Sequence, residues 1–178
     1  MLSNAVLVLA AAMVVGQADK PNLPEEAKKA IGYYVGNWRG EWTENGEMYV
    51  NELSVKWVEG KHCTVLTSTT TSPKGVSHGT LLSGWDAVNK EIVDCSFESD
   101  GSHSIERWKI VSPTVEEAKS TGVSAQGRPM EAAFRIQKKD KDKFTITVTN
   151  RKEGGQSKPD LTVEYVKLLK AKKPEKNK

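Results

Sequence analysis

The 178-residue sequence predicts an all-β domain: an antiparallel, up-and-down β-barrel of about ten strands with a short N-terminal helix. Three observations predict it. Apolar residues recur at helical spacing in 22–35, and after that they recur with a period of two, as in strands with one apolar face. Nine turn-forming stretches separate the strand-like runs. Closing these hairpins into a barrel removes unpaired sheet edges, and an open two-sheet sandwich is the alternative.

The N-terminal helix is expected within 22–35. Pro24 suits a first helical turn, and the acidic side chains of Glu25 and Glu26 suit the positive end of a helix. Apolar residues then form a stripe at helical spacing, made of Leu23, Ala27, Ala30, Ile31 and Tyr34.

Gly, Pro, Asn and Asp residues mark the predicted turns, at 45–46, 59–60, 73–75, 86–89, 100–101, 112–113, 126–129, 140–143 and 154–159. Alternation assigns an apolar face to most strands. These faces are Trp38/Gly40/Trp42, Tyr49/Leu53/Val55/Trp57, Leu81/Trp85, Val93/Cys95/Phe97, Met130/Ala132/Phe134/Ile136, Phe144/Ile146/Val148 and Leu161/Val163/Tyr165.

Two of the runs have no clear apolar face. In 102–111, either of two alternating sets of residues could form the inner face of the strand. The sets are Ser104/Glu106/Trp108/Ile110 and His103/Ile105/Arg107/Val111. The run 114–124 has charged and polar residues in its middle, so we expect an edge strand or a partly irregular segment there.

The first 18 residues have the pattern of a cleavable signal peptide. The apolar run 5–15 is too short to span a bilayer, and small residues follow at Gly16 and Ala18, where a signal peptidase would cut. The segment has no Lys or Arg before the apolar run, and a buried helix is the alternative. We therefore expect a secreted or periplasmic protein with no transmembrane segment after cleavage. The predicted divisions are a signal peptide (1–18), an N-terminal segment with the short helix (19–36), the barrel (37–169) and a tail (170–178).

The net charge of +3 comes from the C-terminus. Residues 167–178 contain six lysines and one glutamate, so the rest of the chain has a net charge of −2. This lysine-rich end is expected to be a solvated, disordered tail, with a basic arm for anionic surfaces as the alternative. No aromatic residue follows Tyr165 to stack on a base, so no nucleic-acid partner is predicted.

The two cysteines bear on the topology of the predicted barrel. Export would place Cys63 and Cys95 in a compartment that permits a disulfide. If one strand separates them, however, their backbones lie roughly 9.6 Å apart, beyond the reach of about 7 Å for a disulfide. Two small buried thiols are therefore favoured over a disulfide.

Gly36-Asn37-Trp38, between the predicted helix and the first strand, resembles the G-x-W signature of the calycin superfamily, which includes the lipocalins, fatty-acid-binding proteins and nitrobindin-like barrels. With Gly84-Trp85-Asp86 and Lys90, the sequence also resembles a family of secreted bacterial calycin-like proteins. The resemblance implies that Trp38 packs across the closed end of the barrel beneath an arginine near the last strands. Arg151 is the candidate for that arginine.

The same segment, continued through Arg39-Gly40, resembles the nitrobindin motif, except that Trp42 replaces its final glycine. That resemblance implies a haem-binding histidine near the C-terminus, and no histidine follows His103. His62, His78 and His103 lie beside turns or polar runs without ligand spacing, so no metal or cofactor is predicted.

Evidence for catalysis is weak in this sequence. It contains no C-x-x-C or H-E-x-x-H motif and no phosphate-binding glycine loop. Asp94 or Glu106, if they point into a barrel, could have a raised pKa suited to acid–base work. A salt-bridged or exposed carboxylate is the favoured interpretation.

These observations predict a non-catalytic barrel that binds a small, partly apolar or amphipathic molecule. The expected ligand-binding residues are Trp57, Trp85, Glu106, Arg107, Trp108 and Phe134. The first alternative is a solid barrel of the cell envelope that displays a surface, with no cavity above about 300 Å³. The second is an enzyme that uses a carboxylate inside the barrel. The oligomeric state is not predicted.

Overall fold

The computed structural model describes residues 23–168. Two predictions, the signal peptide at 1–18 and the lysine-rich tail at 170–178, lie outside the described residues. Within them, α1 (Glu25–Tyr33) is followed by strands only. The strands are β1 (Gly36–Glu44), β2 (Glu47–Trp57), β3 (Cys63–Ser72), β4 (Gly75–Asp86), β5 (Glu91–Glu98), β6 (His103–Ser112), β7 (Val115–Val123), β8 (Pro129–Asp140), β9 (Lys143–Glu153), β10 (Gln156–Ser157) and β11 (Leu161–Lys167).

The predicted barrel is confirmed, because the antiparallel sheet closes on itself. Each strand from β1 to β9 pairs with the next one along the chain, β9 also pairs with β11, and β11 pairs with β1. The two-residue β10 pairs only with β9, on the same edge as β11, so ten strands form the wall. This closure excludes the open sandwich.

The helix α1 packs against one end of the barrel through Ala27, Ala30 and Ile31, which are buried in the same core as Trp38. A Cβ atom at Gly32 would lie 3.1 Å from Cζ2 of Trp57, so the absence of a side chain lets the Trp57 ring approach the helix. We call the end of the barrel against which α1 packs the helix-covered end. Among residues 23–168 no helix is long and apolar enough to cross a membrane.

The structure contradicts the predicted inner face of β5 and decides the inner face of β6, which the sequence left open. In β5, the expected inner residues Val93, Cys95 and Phe97 lie on the other face, and Phe97 is 65% exposed. The cavity side of β5 instead carries Ile92, Asp94, Ser96 and Glu98. The competing faces of β6 are resolved with Ser104, Glu106 and Trp108 inside.

The strand β7 is neither an edge nor irregular, since it pairs along its length with β6 and β8. Its inner face contains two buried polar residues, Glu116 and Ser120. Its neighbours along the chain, β6 and β8, supply hydrogen-bonding partners on both sides of β7, and its buried polar residues explain why its sequence shows no apolar face.

The cysteines lie where the meander topology predicts. Cys63 lies on β3 and Cys95 on β5, with β4 between them, and both are free thiols. The two are not both buried, because Cys95 is exposed and Cys63 is partly buried.

Candidate ligand-binding site

A cavity of about 460 Å³ lies inside the barrel. All ten wall strands contribute residues to its lining, and Ile31 and Tyr34 border it at the helix-covered end. Small-molecule sites in proteins have volumes of about 300–1,000 Å³ and are mostly apolar with a few placed polar groups. The aromatic part of this lining consists of Tyr34, Trp38, Trp42, Trp108, Phe134, Phe144 and Tyr165.

Five inward-facing polar residues form a continuous row across consecutive strands, from β3 to β7. Strand pairing places Thr64 opposite Ser83, Ser83 opposite Asp94, Asp94 opposite Glu106, and Glu106 opposite Ser120. Directly opposed residues of antiparallel strands have their Cβ atoms about 5 Å apart on one face of the sheet. We call this row the polar belt.

Glu106 lies in the polar belt and is only 6% exposed. Its Oε1 atom accepts hydrogen bonds from Ser104 Oγ at 2.5 Å and from Ser120 Oγ at 2.8 Å. The other carboxylate oxygen, Oε2, is buried without a hydrogen-bond partner among the described residues. An unpaired buried acceptor is costly, so Oε2 is a site where a donor from a ligand would be favoured.

Asp94 is opposite Glu106 in the polar belt. Its Oδ2 atom accepts a hydrogen bond from Trp108 Nε1 at 2.9 Å, while Oδ1 is buried without a partner among residues 23–168. Burial raises the pKa of Asp94 to about 7. Hydrogen bonding from Ser83 and Trp108 lowers this pKa in part, and the negative charges of Glu106 and Glu116 raise it. The protonation state of this carboxyl therefore changes near neutral pH.

Trp42 has the third unpartnered polar atom of the lining. Its ring stacks on Tyr49 with centroids 5.2 Å apart, and its Nε1 donor is buried without an acceptor within the described part of the chain. Among residues 23–168, the cavity thus contains two acceptors without donors, on Asp94 and Glu106, and one donor without an acceptor, on Trp42.

The carboxylate of Glu116 borders the same cavity but has its partners. It forms an ion pair with Lys138, in which both side chains are almost fully buried, and accepts a hydrogen bond from Tyr34 Oη at 2.7 Å. The Lys138 ammonium also lies 4.8 Å from the centre of the Tyr33 ring. Burial and the hydrogen bond to Glu116 raise the pKa of Tyr34 well above its usual range.

The structure brings three of the six predicted ligand-binding residues, Glu106, Trp108 and Phe134, into the cavity lining. Trp57 and Trp85 pack against the core and do not border the cavity. Arg107 lies on the outer face, 51% exposed, where its guanidinium pairs with Glu91 at 2.6 Å.

The structural residues of the Gly36-Asn37-Trp38 segment occupy the expected end of the barrel. Gly36 has a φ of 134°, and a Cβ there would lie 2.8 Å from Cε of Lys167. Trp38 is fully buried, and its Nε1 donates to the Tyr34 carbonyl oxygen at 2.6 Å. The cation over the Trp38 ring is Lys167, at 4.9 Å.

The expected partner of Trp38, Arg151, lies elsewhere. Its guanidinium pairs with Glu44 at 2.9 Å and donates to the carbonyl oxygen of Pro159 at 2.8 Å. The prediction of Arg151 over Trp38 is therefore wrong. Strand register decides this, because β11, not β9, pairs with β1 and places Lys167 opposite Trp38.

Sequence reasoning missed Trp42, Glu116 and Ser120 as residues of the cavity region. Alternation along β1 predicts the correct face for Trp42, but the residues next to it in the sequence do not indicate that its N–H lacks an acceptor among the described residues. A signal for the polar belt does exist. Polar residues recur at the inward position of five consecutive strands, and only their cross-strand register joins them into one row.

No group of three or more His, Cys, Asp or Glu side chains within residues 23–168 is arranged to hold a metal ion.

Comparison with known proteins finds no protein-family model and no curated protein that the sequence matches. Two solved structures resemble the barrel. A de novo designed fluorescence-activating β-barrel has 14% identity and a TM-score of 0.42 over 79% of this chain and 98% of its own. EF1p2_mFAP2b bound to DFHBI has 10% identity and a TM-score of 0.44 over the same shares. A likeness of this degree does not indicate a function.

Proposed function

We propose that this protein is an exported, calycin-type barrel that binds a small, partly apolar molecule in its interior without catalysis. The observation that carries the proposal is the cavity of about 460 Å³, whose aromatic lining includes three buried polar atoms that have no partner within the described part of the chain. A cavity built only as core would not retain such atoms, because each costs free energy unless a partner compensates it. A bound ligand supplies both the missing partners and the apolar contact.

The solid-barrel alternative fits the interior less well. It predicts an interior with no cavity above about 300 Å³, and the observed volume exceeds this value.

The enzyme alternative has one specific observation in its favour, the Asp94 carboxyl with a pKa of about 7 beside Glu106. Chemical change of a bound molecule that stops in an Asp94→Asn variant would favour catalysis over simple binding.

A matched pair of substitutions on β4 tests interior binding. Leu81 lines the cavity, while its neighbour Leu82 is 52% exposed on the outer face. We expect a neutral, polarity-sensitive dye such as prodan to bind with increased fluorescence. Leu81→Trp fills part of the cavity and should weaken binding by about tenfold or more, equivalent to about 1.4 kcal/mol, whereas Leu82→Trp should not. Equal effects of the two variants would place the dye outside the barrel.

The natural ligand and the export prediction need protein from the native host. Native mass spectrometry of that protein should show a bound small molecule that is released on denaturation. N-terminal sequencing of the same material should begin at Asp19 if the signal peptide is cleaved after Ala18. A clean ligand-free mass, together with no dye binding and no thermal shift across a panel of lipids and metabolites, would refute the binding proposal.

A further inference from the structure

The charged residues of the cavity lining all have the same sign. Asp94, Glu98, Glu106 and Glu116 border the cavity, and the lining includes no Lys or Arg among the described residues. Lys138 neutralises Glu116 by direct pairing. Within 23–168, no Lys or Arg side chain forms an ion pair with Asp94 or Glu106, whose hydrogen-bond donors are neutral. Inside a low-dielectric barrel the remaining carboxylates create a negative potential that water screens poorly.

The unpartnered oxygens of this lining are close to each other. Asp94 and Glu106 are directly opposed on β5 and β6, and each contributes one buried oxygen without a donor in the described part of the chain. Neutral donors already occupy the other oxygens, since Trp108 donates to Asp94 Oδ2 and Ser104 and Ser120 donate to Glu106 Oε1. The hydroxyl of Ser83, opposite Asp94, is a further neutral donor beside it. Two adjacent acceptors with negative charge are matched best by a group that has several N–H donors and a positive charge.

The walls near these oxygens suit a cation attached to an apolar body. Trp108 and Phe134 pack against each other with centroids 5.9 Å apart, and both border the cavity. Aromatic faces provide apolar contact and also attract cations, with the indole ring the most favourable. The free N–H of Trp42 adds a place for one acceptor on the ligand.

From this charge, burial and geometry we infer that the cavity selects an organic cation, a protonated amine on a compact apolar or aromatic body, with the ammonium held between Asp94 and Glu106. This inference rests on the proposed small-molecule function and adds the chemical class of the ligand. Anionic amphiphiles such as fatty acids are disfavoured, because a ligand carboxylate would be desolvated beside like charges.

Three probes of one shape test the inference: 1-naphthylmethylamine, 1-naphthalenemethanol and 1-naphthoic acid. They present a cation, a neutral hydroxyl and an anion on the same aromatic body. Their affinities are measured by isothermal titration calorimetry at pH 8, where Asp94 is mainly ionised. We expect the amine to bind about tenfold or more tightly than the alcohol, and the acid to bind most weakly.

Variants locate the source of this selectivity. Glu106→Gln and Asp94→Asn should each reduce the affinity for the amine by about tenfold while changing that for the alcohol by less than about threefold. Glu117→Gln is the matched control, because Glu117 is on the outer face of β7 and pairs there with Arg135. Circular dichroism of each variant verifies folding, and the two carboxylate variants give independent tests if one fails to fold.

The outcomes separate the two proposals. Alcohol binding with no preference for the amine, or an amine preference unchanged in both carboxylate variants, would overturn the cation inference and leave the binding function standing. Absence of binding by all three probes and by prodan would instead overturn the binding function itself.

Discussion

The helix-covered end and the polar belt both contain buried polar groups, but they satisfy them differently. At the helix-covered end, Glu116 pairs with Lys138 and Tyr34, and the indole N–H of Trp38 donates to a backbone carbonyl. In the polar belt, Asp94 and Glu106 each keep one oxygen without a partner in the described chain. The two regions belong to the same barrel and border the same cavity.

This difference distinguishes structural groups from binding groups. A fully paired buried network fixes one arrangement of its elements and needs nothing from outside the protein. A half-paired network lowers the stability of the protein alone, and a bound molecule that completes it recovers part of this cost. Substitutions at the helix-covered end should therefore affect folding, whereas those in the polar belt should affect binding and pH dependence.

The largest expected effect is that of Trp38→Ala at the helix-covered end. Trp38 is fully buried against Phe144, with ring centroids 4.8 Å apart, so truncation leaves a large cavity. We expect the free energy of unfolding to fall by about 4 kcal/mol, measured by urea denaturation. Phe97→Ala, the control, removes an exposed aromatic side chain and should change the free energy of unfolding by no more than about 0.5 kcal/mol. A loss below about 1 kcal/mol for Trp38→Ala would refute its structural role.

The second prediction concerns the buried ion pair. Lys138→Met leaves the Glu116 carboxylate buried without its cation, and we expect a loss of about 3 kcal/mol. The double variant Glu116→Gln with Lys138→Met removes both charges and should recover most of this loss. Lys139→Met, at the next and exposed position, is the control. Absence of recovery in the double variant would show that packing, not the unpaired charge, causes the loss.

The third prediction is a pH dependence that originates in the polar belt. Burial raises the pKa of Asp94 to about 7, and the groups facing it are Glu106, Glu116 and Tyr34. Because the folded protein retains this proton to higher pH than the unfolded chain, the Asp94 contribution to stability is full below about pH 4 and is lost as the pH rises through about 7. Between pH 5 and 7 the free energy of unfolding should fall by about 2 kcal/mol from this group.

Urea denaturation across this pH range, compared with that of Asp94→Asn, measures the Asp94 contribution directly. In Asp94→Asn, the free energy of unfolding should lack the part of its decrease with pH that comes from Asp94. The substitution Asp160→Asn, at an exposed position, is the control. Identical slopes for the wild type and Asp94→Asn would show that Asp94 does not titrate in this range in the folded protein.

The smallest expected effect compares neighbours on β6. Arg107 is half exposed and pairs with Glu91 on the outer face, whereas Glu106 points into the barrel. Arg107→Ala should leave the urea midpoint and the binding of 1-naphthylmethylamine unchanged, because exposed ion pairs contribute little. Weaker amine binding in Arg107→Ala would mean that the outer face influences the site and that the division between the two faces is too simple.

Much of the fold could be predicted from local pattern. The helix preceding Gly36, the turns and nearly all strand runs are visible in the sequence, because turn residues and period-two alternation are local properties. The inner face of β5 was predicted wrongly for a physical reason. Its more apolar side, with Val93 and Phe97, faces outward, since the strand lines a partly polar cavity. The usual rule that apolar residues face inward assumes a solid core.

The candidate site was predicted in part. Glu106, Trp108 and Phe134 do border the cavity, but Trp57 and Trp85 use their rings in packing against the core. A tryptophan in a strand has the same sequence pattern in both roles. The environment of Glu106 also depends on Ser120, which comes from the strand that seemed most irregular.

The sequence by itself determined that the chain alternates as strands, where it turns, and that one short helix precedes Gly36. Only the tertiary structure decided which side of β5 faces inward, that Lys167 and not Arg151 covers Trp38, and that the polar belt exists. The reason is physical. Alternation is set by the backbone of each strand alone, whereas facing, register and the pairing of buried charges arise when distant strands meet and the barrel closes.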